Sequence, residues 1–200
     1  HDIIIGSRDA SRASSSAEEY TNLAKESFGE INGTITGKDN LSVAKESDVL
    51  VLSIPYENID SLCSEILPEI KESCVVISPI VPMVKTDVGF EFIPIKENKP
   101  YSYQLVSKYL KDKSKLVSAF HVISEKKLVN PTLVLDYDIF VCGDDKESVE
   151  VVNGLINEIK GLRPIYLGPG ELSYMAEIST PLLLNAMIRN KLKNPGIKIV

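Results

Sequence analysis

Two apolar runs in this chain follow the same plan. Val49-Leu50-Val51-Leu52-Ser53-Ile54-Pro55 and Cys74-Val75-Val76-Ile77-Ser78-Pro79 each close on a serine and a proline. A continuous apolar run is what a strand covered on both faces requires. A proline just past the strand end forfeits no ladder hydrogen bond. Between the two runs, Ile59, Leu62, Cys63, Ile66 and Leu67 recur at helical spacing. Strand alternating with helix predicts an α/β protein built on a doubly wound, mostly parallel sheet.

The pattern extends in both directions. Ile3-Ile4-Ile5 reads as a buried strand, turned by Gly6 and followed by Ser7 and Arg8. Ser11 to Ser27 is rich in Ala, Ser, Glu and Lys and predicts a helix ending near Gly29. A short strand around Thr34 to Thr36 and a short helix from Asn40 to Glu46 precede the Val49 run. Beyond Pro79, the segment from Val81 to Pro100 reads as irregular and mobile, in the manner of a lid. A helix over Tyr101 to Lys111 and a strand over Lys115 to Phe120 lead to His121. Tyr137 to Cys142 is a further strand, and Gly143-Asp144-Asp145 turns the chain and caps a helix over Lys146 to Lys160. A last short strand over Pro164 to Leu167 and a long helix over Leu172 to Lys191, with Thr180-Pro181 inside it, complete the chain. The expected organisation is a nucleotide-binding domain over residues 1–143 and a smaller helical unit over 144–200.

Composition removes several classes of function. At 200 residues and 44% apolar, the chain can bury one good core. A net charge of −6 with no clustered basic face argues against nucleic acid as a partner. No apolar run approaches the roughly 20 residues a membrane span needs. Cys63, Cys74 and Cys142 lie in apolar surroundings without metal-ligand spacing, as small core residues of a cytoplasmic protein do.

The chemistry-bearing residues gather at predicted strand ends, where open α/β sheets bind ligands. Ser7 and Arg8 follow the Ile3 strand, and Ser11 and Arg12 begin the next helix. An arginine in that position meets the ribose 2′-phosphate of NADP, where an NAD enzyme offers a carboxylate. His121, the only internal histidine, ends another strand; such a residue is either a structural hydrogen-bonder or a catalyst. Gly168-Pro169-Gly170 lacks a third glycine, and Pro169 removes a backbone donor, so it reads as a turn and not a phosphate cradle. No Ser-His-Asp or Cys-His set is visible. Hydride transfer between two bound organic rings needs none; it needs apposition and exclusion of water.

With those residues in view, the chain resembles the archaeal and actinobacterial family of NADPH:coenzyme F420 oxidoreductases. The resemblance rests on Val141-Cys142-Gly143-Asp144-Asp145, Gly161-Leu162-Arg163-Pro164 with Gly168-Pro169, Ser78-Pro79-Ile80-Val81-Pro82, Ser118-Ala119-Phe120-His121 and Gly196-Ile197-Lys198, all in the same order. It implies hydride exchange between NADP and coenzyme F420, a deazaflavin. It implies that Ser7, Arg8 and Arg12 hold the 2′-phosphate, and that Ile54, Pro55, Ser78, Pro79, Val81 and Pro82 line the nicotinamide side. His121, with Ala119, Val122 and Ile123, is implied where the two rings meet, as the catalytic position. A homodimer, no metal and no membrane partner go with it. Ser124 departs from the proline expected there, and the stretch from Glu91 to Lys113 is longer than usual. The family also begins with a strand and a glycine-rich turn, a unit of roughly 30 residues, that does not precede Ile3 here. The expectation is therefore a Rossmann-type sheet with its first strand missing, split between the Ile3 and Val49 strands, in the truncated record of a longer protein. Two rivals remain: an NADPH-dependent reductase with a flavin or ferric acceptor, and a non-catalytic NADP-binding module.

Overall fold

The structure is a computed structural model that describes residues 1–130, 133–193 and 195–200. It comprises two compact units, His1–Leu50 with Glu65–Cys74, and Val51–Ser64 with Val75–Val200.

The first unit opens with β1 (Ile3–Ser7), α1 (Ala10–Phe28), β2 (Ile35–Asp39) and α2 (Asn40–Glu46). β1 and β2 run parallel, in register from Ile3 against Ile35 to Ser7 against Asp39. Asp9 starts α1 by accepting from the Ser11 and Arg12 amides, and Gly29, at φ 78°, ends it by donating to the Lys25 carbonyl. Of α1, only Ala13 and Ala17 are buried. This small-residue face lets the helix lie close on β2, since a Cβ at Gly37 would stand 2.2 Å from the Ala13 carbonyl carbon. β1 is not the buried strand its isoleucines suggest. Ile3 is 49% exposed and Ile4 and Ile5 are half-buried, because among the described strands β1 pairs with β2 alone. β1 and β2 form a two-stranded sheet of their own.

The next strand, β3 (Val49–Val51), crosses the division between the units and is shorter than the run from Asp48 to Pro55 predicts. The Leu52 amide still donates to Ile77, but the Ser53 and Ile54 amides turn back onto Val51 and Leu52 and end the ladder. A five-stranded sheet takes the order β3-β4-β7-β8-β9, with β4 (Val75–Ser78), β7 (Leu116–Ser118), β8 (Tyr137–Gly143) and β9 (Leu162–Gly168). β4 pairs parallel to β7 and β8 parallel to β9, while β7 and β8 are antiparallel. All four residues of β4 are buried, as a strand covered on both faces must be. The core of this unit is built on Ile59, Cys63, Val76, Ile77, Val106, Leu116, Val117, Ile139, Val141, Val152 and Ile156. They come from these strands, from α3 (Ile59–Ile66) and from the helices described below. The three cysteines are free and buried, and burial pushes the Cys63 thiol up to about 12 and Cys142 to about 11.

The segment expected to be irregular is ordered. Met83–Thr86 (β5) and Gly89–Phe92 (β6) form an antiparallel hairpin, followed by the short helix α4 (Ile93–Glu97). The physical reason lies far away in sequence, on the C-terminal helix. Asn185 accepts from the Phe90 amide (2.8 Å) and donates to the Phe90 carbonyl (2.6 Å), and Arg189 donates to the Val88 carbonyl. One side chain thereby stands in for a neighbouring strand. The predicted helix over Tyr101 to Lys111 contracts to α5 (Ser102–Ser107), and α6 (Glu125–Leu128), α7 (Lys146–Glu158) and α8 (Ser173–Asn190) follow. No helix among the described residues is long and apolar enough to cross a membrane.

Replacing Asn185 by Ala removes both hydrogen bonds and leaves two half-buried backbone groups of the hairpin without partners, a loss of about 1–3 kcal/mol. Amide exchange at Phe90 should accelerate well before that of the β8 amides. Equal acceleration in both places would contradict the clamp.

Candidate functional site

The candidate residues fall into one constellation in each unit. In the first unit they lie at the carboxyl ends of β1 and β2. Ser7 ends β1, half-buried, and its hydroxyl accepts from the Asp9 amide at 3.3 Å. Arg8 and Arg12 are exposed and enter none of the ion pairs among the described residues. Two unneutralised guanidinium groups flank the start of α1. The structure adds two residues that sequence reasoning passed over. Asp9 caps α1, its Oδ1 accepting from the Ser11 amide (2.9 Å), the Ser11 hydroxyl (2.7 Å) and the Arg12 amide (3.4 Å). These bonds hold its carboxyl below the usual range. Asp39, opposite Ser7 in register, caps α2 in the same way through the Ser42 amide and hydroxyl. An aspartate ahead of a helical segment is a readable N-cap signal. Ser11, expected to offer a free hydroxyl, donates it to Asp9.

In the second unit the corresponding edge is formed by β4 and β7. Ser78 and Ser118 face one another in register at the strand ends. Both are fully buried, and neither hydroxyl has a hydrogen-bond partner. Ala119 extends the pairing through its amide to the Ser78 carbonyl. Phe120 then turns the chain at φ 68°, a conformation that costs a bulky residue about 1–3 kcal/mol and collects at functional sites. The turn buries the His121 ring, 7% exposed, with neither Nδ1 nor Nε2 partnered. Burial alone lowers its pKa to about 3, so the imidazole is neutral at any physiological pH. Neither ring nitrogen is engaged by another described side chain or backbone group. Val122 and Ile123 after it are half-buried, as are Ile54, Pro79 and Val81; Pro82 is buried and Pro55 exposed. Ser78 ends β4, Ala119 and His121 follow β7, with the Ala119 amide joined to the Ser78 carbonyl, and Ile54 and Pro55 follow β3.

α8 holds this edge in place. Thr180 donates its hydroxyl to the His121 carbonyl at 2.6 Å. Three residues earlier, fully buried Glu177 accepts from the amides of Ser102 (2.9 Å) and Tyr103 (3.1 Å) at the start of α5. Desolvation pushes the Glu177 carboxyl up to about 7, against the pull of those two donors. The signal for Glu177 was present as a lone acid in the apolar run around Ala176 and Ile178.

The remaining motifs are structural. Asp144 accepts from the Tyr103 hydroxyl (2.7 Å) and the Gly170 amide (3.2 Å). The amide a phosphate nest would use is therefore taken, and Gly168-Pro169-Gly170 is the turn it was expected to be. A Cβ at Gly170 would lie inside the Tyr103 ring. Asp145 caps α7 through Ser148 and pairs with Lys115 at 3.0 Å. Arg163 grips buried Asp138 with both Nε and Nη2 at 2.8 Å, and Asp138 also accepts from the Ile199 amide.

The family described as NADP oxidoreductase, coenzyme F420-dependent, matches residues 1–82. The F420-dependent NADP reductase of Methanocaldococcus jannaschii is 37% identical over 198 residues, 98% of this chain and 86% of that protein. Its counterpart from Methanothermobacter thermautotrophicus is 30% identical over 201 residues, 99% of this chain and 84% of that one. In fold, the chain is similar to a crystal structure from Arthrobacter sp. FB24 assigned as an F420-dependent NADP reductase. The TM-score is 0.77 at 16% identity, over 100% of this chain and 89% of that one. Fold and relatives together define an oxidoreductase of the nucleotide-binding α/β class. Within it, the chain belongs to the F420-dependent NADP reductase family.

Two buried groups give opposite pH signatures. His121 has a folded pKa of about 3 against an ordinary 6.5, so between those values the folded state binds fewer protons than the unfolded one. Its contribution to stability is full above 6.5 and lost as the pH falls. Glu177 has a folded pKa of about 7 against an ordinary 4.5, so its contribution is full below 4.5 and lost as the pH rises through 7. Between 4.5 and 6.5 the two slopes oppose each other. In thermal melts across this range, His121→Asn should lessen the acid-side loss seen in the wild type, and Glu177→Gln should lessen the loss toward neutrality. Variant and wild-type profiles that run parallel would show that neither group is buried as described.

Proposed function

We propose that this protein transfers hydride between NADP(H) and coenzyme F420. The observation that carries the reading is the His121 ring, buried, neutral and unpartnered in the segment that follows β7, in a chain 37% identical over nearly its whole length to an F420-dependent NADP reductase. When bound, the nicotinamide and the deazaflavin supply the hydride donor and acceptor carbons. The residues present fit such rings. A neutral imidazole offers one N–H donor and one acceptor nitrogen to an uncharged heterocycle. The Ser78 and Ser118 hydroxyls are two further orphaned polar groups at the ends of β4 and β7.

In this reading Ser7, Arg8 and Arg12 bind the 2′-phosphate of NADP, the guanidinium groups supplying the charge-assisted hydrogen bonds. Ile54, Pro55, Ser78, Pro79, Val81 and Pro82 contact the nicotinamide side. Ala119, His121, Val122 and Ile123 contact both rings, and the apolar ones exclude water from the transfer. His121 orients a ring by hydrogen bonding and moves no proton. The protein acts as a homodimer in a reducing cytoplasm, where its three buried thiols stay reduced.

The test is an assay of the purified protein with NADPH and F420, following the absorbance of the oxidised deazaflavin. Turnover in either direction supports the reading. Oxidation of NADPH by a flavin with F420 ignored overturns it in favour of another acceptor, and cofactor binding without any transfer overturns it in favour of a binding module. Arg8→Ala should weaken NADPH about 10- to 100-fold, the range of a charge-assisted phosphate contact, and NADH by less than about 3-fold. Equal losses for the two cofactors would remove the phosphate role.

A further inference from the structure

We infer that Asp9 moderates the protein's preference for NADP over NAD by placing a negative charge next to Arg8 in the chain and on the Arg12 amide, at the cations that receive the 2′-phosphate. The inference rests on the phosphate role of Arg8 and Arg12 proposed above.

Its starting point is the way the α1 terminus is closed. A helix N-terminus ordinarily offers free amides and a positive dipole end to an anion. Here the Ser11 and Arg12 amides both donate to Asp9 Oδ1, as does the Ser11 hydroxyl. A phosphate arriving at this edge finds those donors taken, and its charge must be met by the arginine side chains. The same bonds fix the carboxylate between the two arginines in sequence and favour its ionised form. Asp9 Oδ2 carries no hydrogen bond among the described residues, whereas both oxygens of the neighbouring acid, Asp39, are engaged by Ser42. Asp9 is therefore the acid at this edge with an oxygen to offer a ligand.

An exposed carboxylate of this kind has opposite consequences for the two cofactors. A ribose 2′-hydroxyl can donate to it, which is how dinucleotide folds recognise NAD. A 2′-phosphate, carrying up to two negative charges, is repelled by it. In a water-like medium repulsion between neighbouring exposed charges is modest, so removal of the acid should tighten NADP several-fold. Arg8 and Arg12 confer the preference for NADP, and Asp9 moderates it.

The experiment measures dissociation constants for NADPH and NADH by fluorescence titration, with wild type, Asp9→Asn, Asp9→Ser, Asp9→Ala and Arg8→Ala, at low and high ionic strength. Asn and Ser are good N-caps, so those two variants remove the charge and keep the helix start. The expected result is NADPH bound about 3- to 10-fold more tightly by Asp9→Asn and Asp9→Ser. The gain should shrink as salt screens exposed charges, and NADH should be unchanged or weaker. NADPH affinity unchanged at low salt, or a gain shared equally by NADH, overturns the inference. Shifts seen in Asp9→Ala and absent from the capped variants also overturn it, since they would show that only helix capping matters. Arg8→Ala separates the two levels: if it weakens both cofactors alike, the phosphate reading itself fails. If it is selective for NADPH while the Asp9 variants are silent, only the role of Asp9 fails.

Discussion

The second unit depends on one uncomfortable placement, a carboxyl group with no exposed surface. Burying Glu177 would be costly without partners. Two backbone amides at the start of α5 supply them, and those amides are ones a short helix cannot satisfy internally. The arrangement solves two problems at once, since the orphan donors of α5 meet the acceptor on α8. α8 is thereby fixed along its length. Thr180, one turn beyond Glu177, holds the His121 carbonyl, and Asn185, further along, holds the β5–β6 hairpin by both polar groups of Phe90. Pro181 interrupts the helix hydrogen bonding between these two anchors. Since Pro181 has no amide hydrogen, the Glu177 carbonyl lacks its usual i to i+4 partner, on the very residue whose side chain is most tightly held.

Much of the fold was legible because its elements are set locally. The helix from Asn40 to Glu46, the Asp145 cap, the β8 strand and the long C-terminal helix follow from periodicity, capping residues and glycine breaks. What local pattern could not show is what distant side chains do to a weak segment. Val81 to Pro100 carries Gly89, Pro94 and scattered charges, and its pattern is that of a loop. Asn185, nearly a hundred residues on, supplies the backbone partner that makes it a hairpin. β1 misled in the opposite sense. Three isoleucines specify a strand, but burial depends on how many neighbours the strand has, which its own residues do not encode.

The candidate site was legible in position more than in chemistry. Arg8 and His121 were singled out because strand ends in α/β sheets are where ligands bind. Asp9 and Glu177 were not, because an aspartate before a helix and an acid within one look ordinary until their partners are seen. Of the motifs that carried the family resemblance, two turn out to brace the sheet. Arg163 and the C-terminal segment meet on Asp138, and Asp144 joins Tyr103 to Gly170. A buried aspartate gripped bidentately, with a backbone amide added, leaves little freedom for substitution, because removing either partner would strand a charge without compensation.

The two constellations also differ in the way they treat charge, and the difference follows from the chemistry each is suited to. At the β1 edge charge is mixed in sign: two exposed arginines, exposed Asp9 and half-buried Asp39, the aspartates kept ionised by their own helix caps. Such groups discriminate between ligands by charge while remaining solvated, so the cost of desolvating them stays small. In the second unit the two titratable groups, His121 after β7 and Glu177 on α8, are buried, and burial drives each toward its neutral form: His121 loses its proton and Glu177 tends to keep one. A hydride carries its electron pair from one ring carbon to another. A fixed charge of either sign at that point would favour one direction of transfer over the other, and in a low-dielectric surrounding it would do so strongly. A neutral imidazole can orient a ring through hydrogen bonds without imposing that bias. Burial alone depresses the His121 pKa, and it leaves the side chain an uncharged polar group across the physiological range.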